Sequence, residues 1–169
     1  MRRGTARISS PSAVAIRLHI PERMALALTR DFATIDYDPR TEIRFPLGLP
    51  GFEQEKRFLL IEKVSLAPLV FLQSLETPSL CFLAVSVLVA DPGYQIGNLL
   101  DEDGDVMANE ESLCLAILTE AEGGGFTANL LAPVIVNLQT RMAVQAVRSD
   151  TLYSHQHPLC QSRESAPCL

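Results

Sequence analysis

The sequence predicts a mainly β protein, folded as a small antiparallel β-barrel or sandwich with one or two short helices. Six or seven strand-length apolar runs lie within about 120 residues, and short connections rich in turn residues join them. No strand–helix–strand alternation interrupts them, which argues against a parallel sheet. The chain has 169 residues, of which 47% are hydrophobic, and this suits one domain with a sizeable core.

The predicted strands begin at Thr41. The first, Thr41–Phe45, is stopped by Pro46, and a tight turn is predicted at Pro50 and Gly51. Valine- and leucine-rich runs predict the remaining strands at Arg57–Glu62, Leu69–Ser74, Ser79–Ala90, Leu113–Thr119, Phe126–Leu138 and Ala143–Arg148. The glycines at 123–125 allow a hairpin turn, and the proline at 133 breaks or bulges the strand that follows, because proline cannot donate to a ladder.

An acidic stretch separates the fourth and fifth predicted strands. Between positions 91 and 111 there are seven acidic residues and no basic one. A short helix is predicted here, with Asp101, Glu102 and Asp103 in its first turn, where the helix macrodipole favours carboxylates. Gly104 weakens this helix prediction.

The same stretch contains part of a calcium-loop pattern. Asp101, Asp103 and Asp105 are spaced like the first three ligands of such a loop. Val106 and Ser112 occupy the positions of the glycine and the bidentate glutamate that the loop requires. We therefore interpret the stretch as a solvated acidic surface and predict no metal site in it.

Charge divides the chain into three predicted parts. Residues 1–35 carry six arginines against two acidic residues, a net charge of +4. We interpret them as a basic extension that is disordered or lies upstream of the true start. Residues 36–159 form the predicted β domain, and 160–169 a polar tail. The chain after residue 35 has 8 basic and 18 acidic residues, a net charge of −10, which repels phosphate backbones and argues against direct nucleic-acid binding.

Membrane and secretory signals are not found in the sequence. No apolar run approaches the ~18 residues of a membrane helix, and polar residues interrupt the N-terminal region too often for a signal peptide. The four cysteines form no disulfide framework, and Cys81 and Cys114 lie in apolar runs as small buried thiols. These features predict a cytoplasmic protein.

Patterns that would indicate catalysis or a cofactor are weak. His155, His157 and Cys160 are metal-ligand types, but no fourth ligand has a recognisable spacing. No nucleophile is paired with a base by a known motif, and the glycines at 123–125 precede a strand rather than the helix and lysine of a phosphate loop. We predict no cofactor and no enzymatic activity.

Four segments in chain order resemble the FliW family of flagellar assembly factors. Two of them are an opening strand and turn, IRFPLGLPGFE, and a pair of short segments, FLQSL and PSLCF. The others are an apolar strand, TANLLAPVIVN, and a closing segment, YSHQHPL. They occupy Ile43–Glu53, Phe71–Leu75 with Pro78–Phe82, Thr127–Asn137 and Tyr153–Leu159. One departure follows Thr140 and Arg141, where the family usually has a glycine and a basic residue and this chain has Met142 and Ala143.

The resemblance implies a binding function. FliW proteins bind flagellin in the cytoplasm, and they bind and antagonise CsrA, a small RNA-binding translational regulator. Mutually exclusive binding would couple the flagellin level to flagellin translation. The expected protein is a monomer, and its acidic surface fits a basic partner.

The expected partner-binding residues are few. They are Asp101, Glu102, Asp103, Asp105, Asn129, Asn137 and Arg141. For the two asparagines, a role in capping turns stays open beside the role of an exposed contact. Two other functions also stay open: a small-ligand-binding β-barrel, and a metal protein or enzyme that uses His155, His157 and Cys160.

Overall fold

The fold is a curled antiparallel β-sheet with few helical turns. In a computed structural model, the described residues are 37–96, 111–122, 124–148 and 152–159. Within them, one short helix, α1, covers Val87–Ala90, and two 3-10 helices cover Pro39–Thr41 and Val64–Leu66. The nine strands of this part of the chain are β1 Ile43–Arg44, β2 Arg57–Glu62, β3 Leu69–Ser74, β4 Cys81–Ser86, β5 Ser112–Glu120, β6 Phe126–Ala128, β7 Val134–Asn137, β8 Ala143–Gln145 and β9 His157–Pro158.

The sheet closes on itself. Strands β1 to β5 pair in chain order, β7 pairs with β5, and β8 pairs with β7, all antiparallel. Arg44 of β1 forms a parallel bridge with Met142, and the Arg44 N–H donates to the Arg141 carbonyl at 2.8 Å. The fold is therefore a seven-stranded barrel with a short closing seam, and the predicted mainly antiparallel β class is confirmed.

Two apolar clusters lie on the two faces of this sheet. The inner cluster takes residues from every barrel strand, among them Phe58, Leu72, Leu115 and Val136. The outer cluster contains Phe71 and residues of β4, β5 and β7, and it is covered by α1 together with β6. Both faces of β3 are buried, which explains why its first four residues, Leu69 to Leu72, are all apolar.

Strands β6 and β9 extend the sheet beyond the barrel. β6 pairs with the end of β5, and β9 pairs with β6. The glycine turn between β5 and β6 is the predicted hairpin: Gly124 N–H donates to the Ala121 carbonyl at 2.9 Å, and Ala121 N–H donates to the Gly125 carbonyl at 3.0 Å. The pairing of β9 with β6 places the described C-terminal segment, residues 152–159, against the outer cluster.

The strand predictions at β2 and β3 match the structure, whereas four others need correction. The strand predicted at Thr41–Phe45 is reduced to the two residues of β1, because Thr41 belongs to the preceding 3-10 helix. The strand predicted at Ser79–Ala90 ends at Ser86, where the chain forms α1, because an apolar run alone does not distinguish a buried strand from a buried helical turn. Phe126–Leu138 is two strands separated by a turn around Pro133, and Ala143–Arg148 ends as a strand at Gln145. Strand β9 was not predicted, since two residues give no periodicity.

Several predictions fall where the structure gives no description. The basic extension at 1–35 and the tail at 160–169 lie outside the described residues, as do the predicted helix near position 101 and the partial calcium-loop pattern.

Candidate functional site

The hairpin between β7 and β8 brings two of the predicted site residues together. The side-chain carbonyl of Asn137 accepts hydrogen bonds from the backbone N–H of Gln139 at 3.0 Å and of Thr140 at 2.9 Å. Its backbone carbonyl accepts from the Arg141 N–H at 2.9 Å, and its N–H donates to the Met142 carbonyl at 2.9 Å. Asn137 therefore shapes the turn that presents Arg141.

Arg141 occupies an unusual backbone position. Its φ of +60° lies in the left-handed region, which glycine adopts at lower cost than any other residue. Its carbonyl is also the acceptor for Arg44 at the barrel seam. The hairpin is thus tied to the closure of the barrel, because the backbone groups of Arg141 bond to both Asn137 and Arg44.

The tip of this hairpin is exposed and mixed in character. Leu138 is 42% exposed, and Gln139 and Thr140 are also exposed. Gln139 Nε2 donates to Glu111 Oε1 at 2.5 Å, and Leu138 N–H donates to the Glu111 carbonyl at 3.0 Å. The tip therefore presents one exposed apolar side chain together with polar ones.

Asn129 lies apart from this hairpin, before the opposite end of β7. Its side-chain carbonyl accepts from the Ala132 N–H at 2.9 Å, and its own N–H donates to the Ile117 carbonyl at 2.9 Å. Asn129 caps the turn that separates β6 from β7. The structure therefore shows turn capping for both asparagines, and it does not bring Asn129 and Asn137 into one site.

The four acidic residues of the predicted site have no described geometry. Asp101, Glu102, Asp103 and Asp105 lie outside the described residues, so their contact role stays a prediction. The chain enters this stretch after Ile96 and is described again from Glu111, which contacts the β7–β8 hairpin.

The opening turn carries an exposed apolar surface that sequence reasoning missed. Leu47 is 76% exposed and Phe52 is 41% exposed, whereas Leu49 between them is 1% exposed. The Phe52 ring packs edge-on against Phe82 with centroids 5.0 Å apart. Leu47 and Phe52 were a sign of this surface in the sequence, because a turn rich in glycine and proline does not need two large apolar side chains for its own conformation.

The segment after β3 is a structural polar network. Gln73 and Ser74 are 3% and 2% exposed. The Ser74 hydroxyl donates to the Glu55 carboxylate and accepts from the Thr77 N–H at 2.9 Å, and Thr77 Oγ1 donates to Glu55 Oε1 at 2.7 Å. Gln73 Nε2 donates to the Pro78 carbonyl at 3.0 Å. These bonds hold the β3–β4 turn against the segment that leads into β2.

The closing segment is held by an arginine and two tyrosines. The Arg148 guanidinium lies 5.2 Å from the Tyr94 ring centroid and 4.6 Å from that of Tyr153. Arg148 is 5% exposed, and its Nη1 donates to the Gln95 carbonyl at 2.7 Å. The Tyr94 hydroxyl donates to the Leu130 carbonyl at 2.9 Å. Stacking and hydrogen bonding therefore fasten this segment to the outer face of the barrel.

Cys81 and Cys114, the cysteines among the described residues, have thiol pKa values raised by burial. Burial raises the pKa of Cys81 to about 11, slightly opposed by the positive charge of Lys63. Burial also raises the pKa of Cys114. Both thiols are therefore protonated near neutral pH, which disfavours a nucleophilic role.

The described residues are relevant to the two alternative functions, a metal protein and a small-ligand-binding barrel. Among them, no group of three or more histidine, cysteine or acidic side chains is placed to hold a metal ion, and Cys160 lies outside the description. Side chains of the inner cluster fill the barrel. A cavity of about 330 Å³ opens instead at one end of the barrel, between Lys63 and Leu113. Within the same residues, no helix has the length and apolarity to cross a bilayer.

Comparison with known proteins agrees with the segments that resemble a known family. The family model described as "FliW protein" matches residues 27–159. The chain belongs to the FliW family. The family match covers the whole barrel, the β7–β8 hairpin and the closing segment.

Relatives in the FliW family are similar over most of their length. The chain is 34% identical to the flagellar assembly factor FliW of Syntrophomonas wolfei subsp. wolfei over 134 residues, which cover 78% of this chain and 86% of the relative. It is 37% identical to that of Bacillus subtilis (strain 168) over 122 residues, which cover 69% of this chain and 84% of the relative. A crystal structure of the flagellar assembly factor FliW superposes with a TM-score of 0.65 at 31% identity, over 75% of this chain and 90% of the other.

Proposed function

We propose that this chain acts by binding rather than catalysis, as a cytoplasmic chaperone of flagellin and an antagonist of a CsrA-type translational regulator. Membership of the FliW family across the whole barrel is the observation that carries the proposal. In this function flagellin and the regulator bind mutually exclusively, so the free regulator concentration follows the flagellin concentration. The chain acts as a monomer and needs no cofactor.

Competition between two affinities is sufficient as the physical mechanism. A competitor present at a hundred times its Kd weakens the apparent affinity of the other ligand by about a hundredfold. Accumulating flagellin would therefore release the regulator to repress flagellin translation. Export of flagellin would reverse the exchange without any chemical step.

Charge and shape indicate which surfaces take part. An RNA-binding regulator carries basic patches, and the formal net charge of −6 on this chain would steer such a partner towards it. Asp101, Glu102, Asp103 and Asp105 are the proposed acidic contacts. The exposed Leu138 at the hairpin tip, together with Leu47 and Phe52, supplies apolar contact area, and Arg141 adds a positive charge to the hairpin.

Calorimetric titration of the full chain tests this function. The chain is titrated with flagellin and with the CsrA homologue from the same organism, separately and then in competition. We expect each partner to bind at micromolar concentration or tighter, and flagellin to displace the regulator. Absence of binding by both partners contradicts the proposal.

Charge reversal tests the acidic contacts, with a matched control. The double variant Asp101→Lys with Asp103→Lys should weaken regulator binding by at least about tenfold, because it replaces attraction with repulsion. The control is Glu120→Lys with Glu122→Lys, two exposed acidic residues at the β5–β6 hairpin, which should change the affinity little. If the two variants lose the same affinity for the regulator, the effect comes from net charge alone, and the acidic residues are not specific contacts.

A further inference from the structure

Among the described residues, none pairs with one edge of the second half of strand β2. The Phe45 N–H donates to the Lys56 carbonyl at 2.8 Å, so Lys56 directs its backbone groups towards β1. Alternate residues of a strand direct their N–H and C=O groups to the same neighbour. Phe58, Leu60 and Glu62 therefore direct theirs towards β1 as well.

Strand β1 is too short to cover this edge. Ile43 is opposite Phe58, and the chain before it forms the 3-10 helix Pro39–Thr41, none of whose residues is buried. No hydrogen bond joins the outward backbone groups of Leu60 or Glu62 to another residue in the described part of the chain. An edge with unpaired N–H and C=O groups is a template for pairing with another strand.

A cavity opens beside the same edge. Its volume is about 330 Å³, and its apolar wall includes Val70, Leu113 and Leu115. Val64 also lines it and is 98% exposed. Such a cavity has room for an apolar side chain of a bound segment. The edge and the cavity are two independent features that a single extended peptide would use together.

Charge further defines the segment that would fit. Glu62 lines the cavity, is exposed, and lies on the same face of β2 as Phe58 and Leu60. A carboxylate on this inner side of an edge strand discourages pairing with a wholly apolar strand and favours a basic residue opposite it. Lys63 also lines the cavity and already interacts with other parts of the chain.

We propose that the edge Leu60–Glu62 and the adjoining cavity form a docking site for an extended segment of a partner protein. The segment adds a strand to β2, places one apolar side chain in the cavity and sets a basic residue beside Glu62. Backbone hydrogen bonds give affinity in this mode of recognition, and the pocket gives specificity. This inference goes beyond the proposed function, because it defines the conformation and chemistry of the segment whichever protein carries it.

Selection of random peptides tests the site without reference to flagellin. A phage-displayed library of peptides of about nine residues, the length of a short strand with flanks, is selected on the immobilised full chain, and recovered peptides are synthesised for affinity measurement. We expect peptides that combine a basic residue with an apolar one. On binding they should slow hydrogen exchange of the Leu60 and Glu62 amides. If no peptide is recovered, or if those two amides keep their exchange rates, the proposal is overturned.

Matched variants locate the binding. Glu62→Pro removes an outward N–H while leaving the β2–β3 ladder bonds, and Glu62→Gln keeps that N–H. Val64→Glu puts a charge at the cavity, and Val147→Glu changes another exposed valine elsewhere. Glu62→Pro and Val64→Glu should each weaken peptide binding by about tenfold, whereas Val147→Glu should not.

Control measurements distinguish failure of the docking site from failure of the proposed function. Glu62→Gln should weaken only peptides with a basic residue, and by less than Glu62→Pro. Thermal melting shows whether Glu62→Pro folds, and the exchange measurement on the unaltered chain needs no variant. Peptides that bind Glu62→Pro and Val64→Glu as tightly as the unaltered chain overturn the proposal. Failure of flagellin to bind would leave these outcomes unchanged.

Discussion

At Gly48 two physical constraints coincide. Its φ of +76° lies in the left-handed region, and a Cβ at this position would lie 2.6 Å from the Glu53 Cα. Gly51 in the same turn has a φ of +82°, but a Cβ there would meet nothing within 4 Å. The sequence shows that both glycines belong to a turn, whereas only the tertiary contact distinguishes their importance.

The two glycines give a matched prediction. Gly51→Ala should lower the free energy of unfolding by about 1–2 kcal/mol, the cost of a left-handed alanine. Gly48→Ala should cost roughly 1–3 kcal/mol more, because the backbone of Glu53 must shift to make room. Urea denaturation of the full chain measures both. Equal losses for the two variants would contradict the close contact.

On the scale of the element, the β7–β8 hairpin shows how a polar residue after a strand acts. Asn137 closes the turn with its side-chain carbonyl and with both of its backbone groups. The hairpin forms with Met142 after Arg141, and Arg141 adopts the left-handed conformation. Sequence reasoning found the strands and the asparagine, but it left open whether Asn137 caps a turn or faces a partner.

Replacement of Asn137 tests the capping role. Asn137→Ala removes two hydrogen bonds to backbone N–H groups and should lower the free energy of unfolding by about 1–2 kcal/mol. Asn137→Asp keeps the acceptor oxygen and should lower the free energy of unfolding clearly less than Asn137→Ala does. The amides of Gln139 and Thr140 should exchange faster in the alanine variant alone. If the aspartate variant is as unstable as the alanine variant, the side-chain carbonyl does not stabilise this turn.

Another element shows where a local pattern is insufficient. The run from Ser79 to Ala90 is apolar apart from Ser79 and Ser86, and such a run fits either a strand or a buried helical turn. The strand ends at Ser86 and α1 follows, where the Asp91 N–H donates to the Val87 carbonyl at 2.8 Å. Val87 is 0% exposed and belongs to the outer cluster. Packing against the barrel therefore selects the helix, which local propensity does not favour for valine.

On the scale of the whole molecule, the two relevant properties are closure of the sheet and net charge. Strand closure depends on one bridge between positions far apart in the chain, at Arg44 and Met142. No local pattern predicts such a contact, so the sequence leaves a barrel and a sandwich equally open. The net charge of −6, in contrast, can be counted directly from the sequence and belongs to the molecule as a whole.

The charge leads to a prediction about association. The rate constant for binding of the CsrA homologue should fall by about tenfold between roughly 50 and 300 mM salt, because salt screens long-range attraction. Stopped-flow mixing measures this rate. The variant with Asp101→Asn, Asp103→Asn and Asp105→Asn should show a shallower dependence. A rate that is independent of salt would remove electrostatic steering from the mechanism.

The sequence alone determined the β class, most strand positions and, through four ordered segments, the family. These properties depend on hydrophobic patterns and turn residues that act over a few positions, so they can be read locally. Only the tertiary structure decided that the sheet closes, that a Cβ at Gly48 would lie too close to the Glu53 backbone, and that no described residue pairs with the outer edge of Leu60 and Glu62. Each of these results depends on groups brought together from distant positions, because closure and packing are properties of the whole chain.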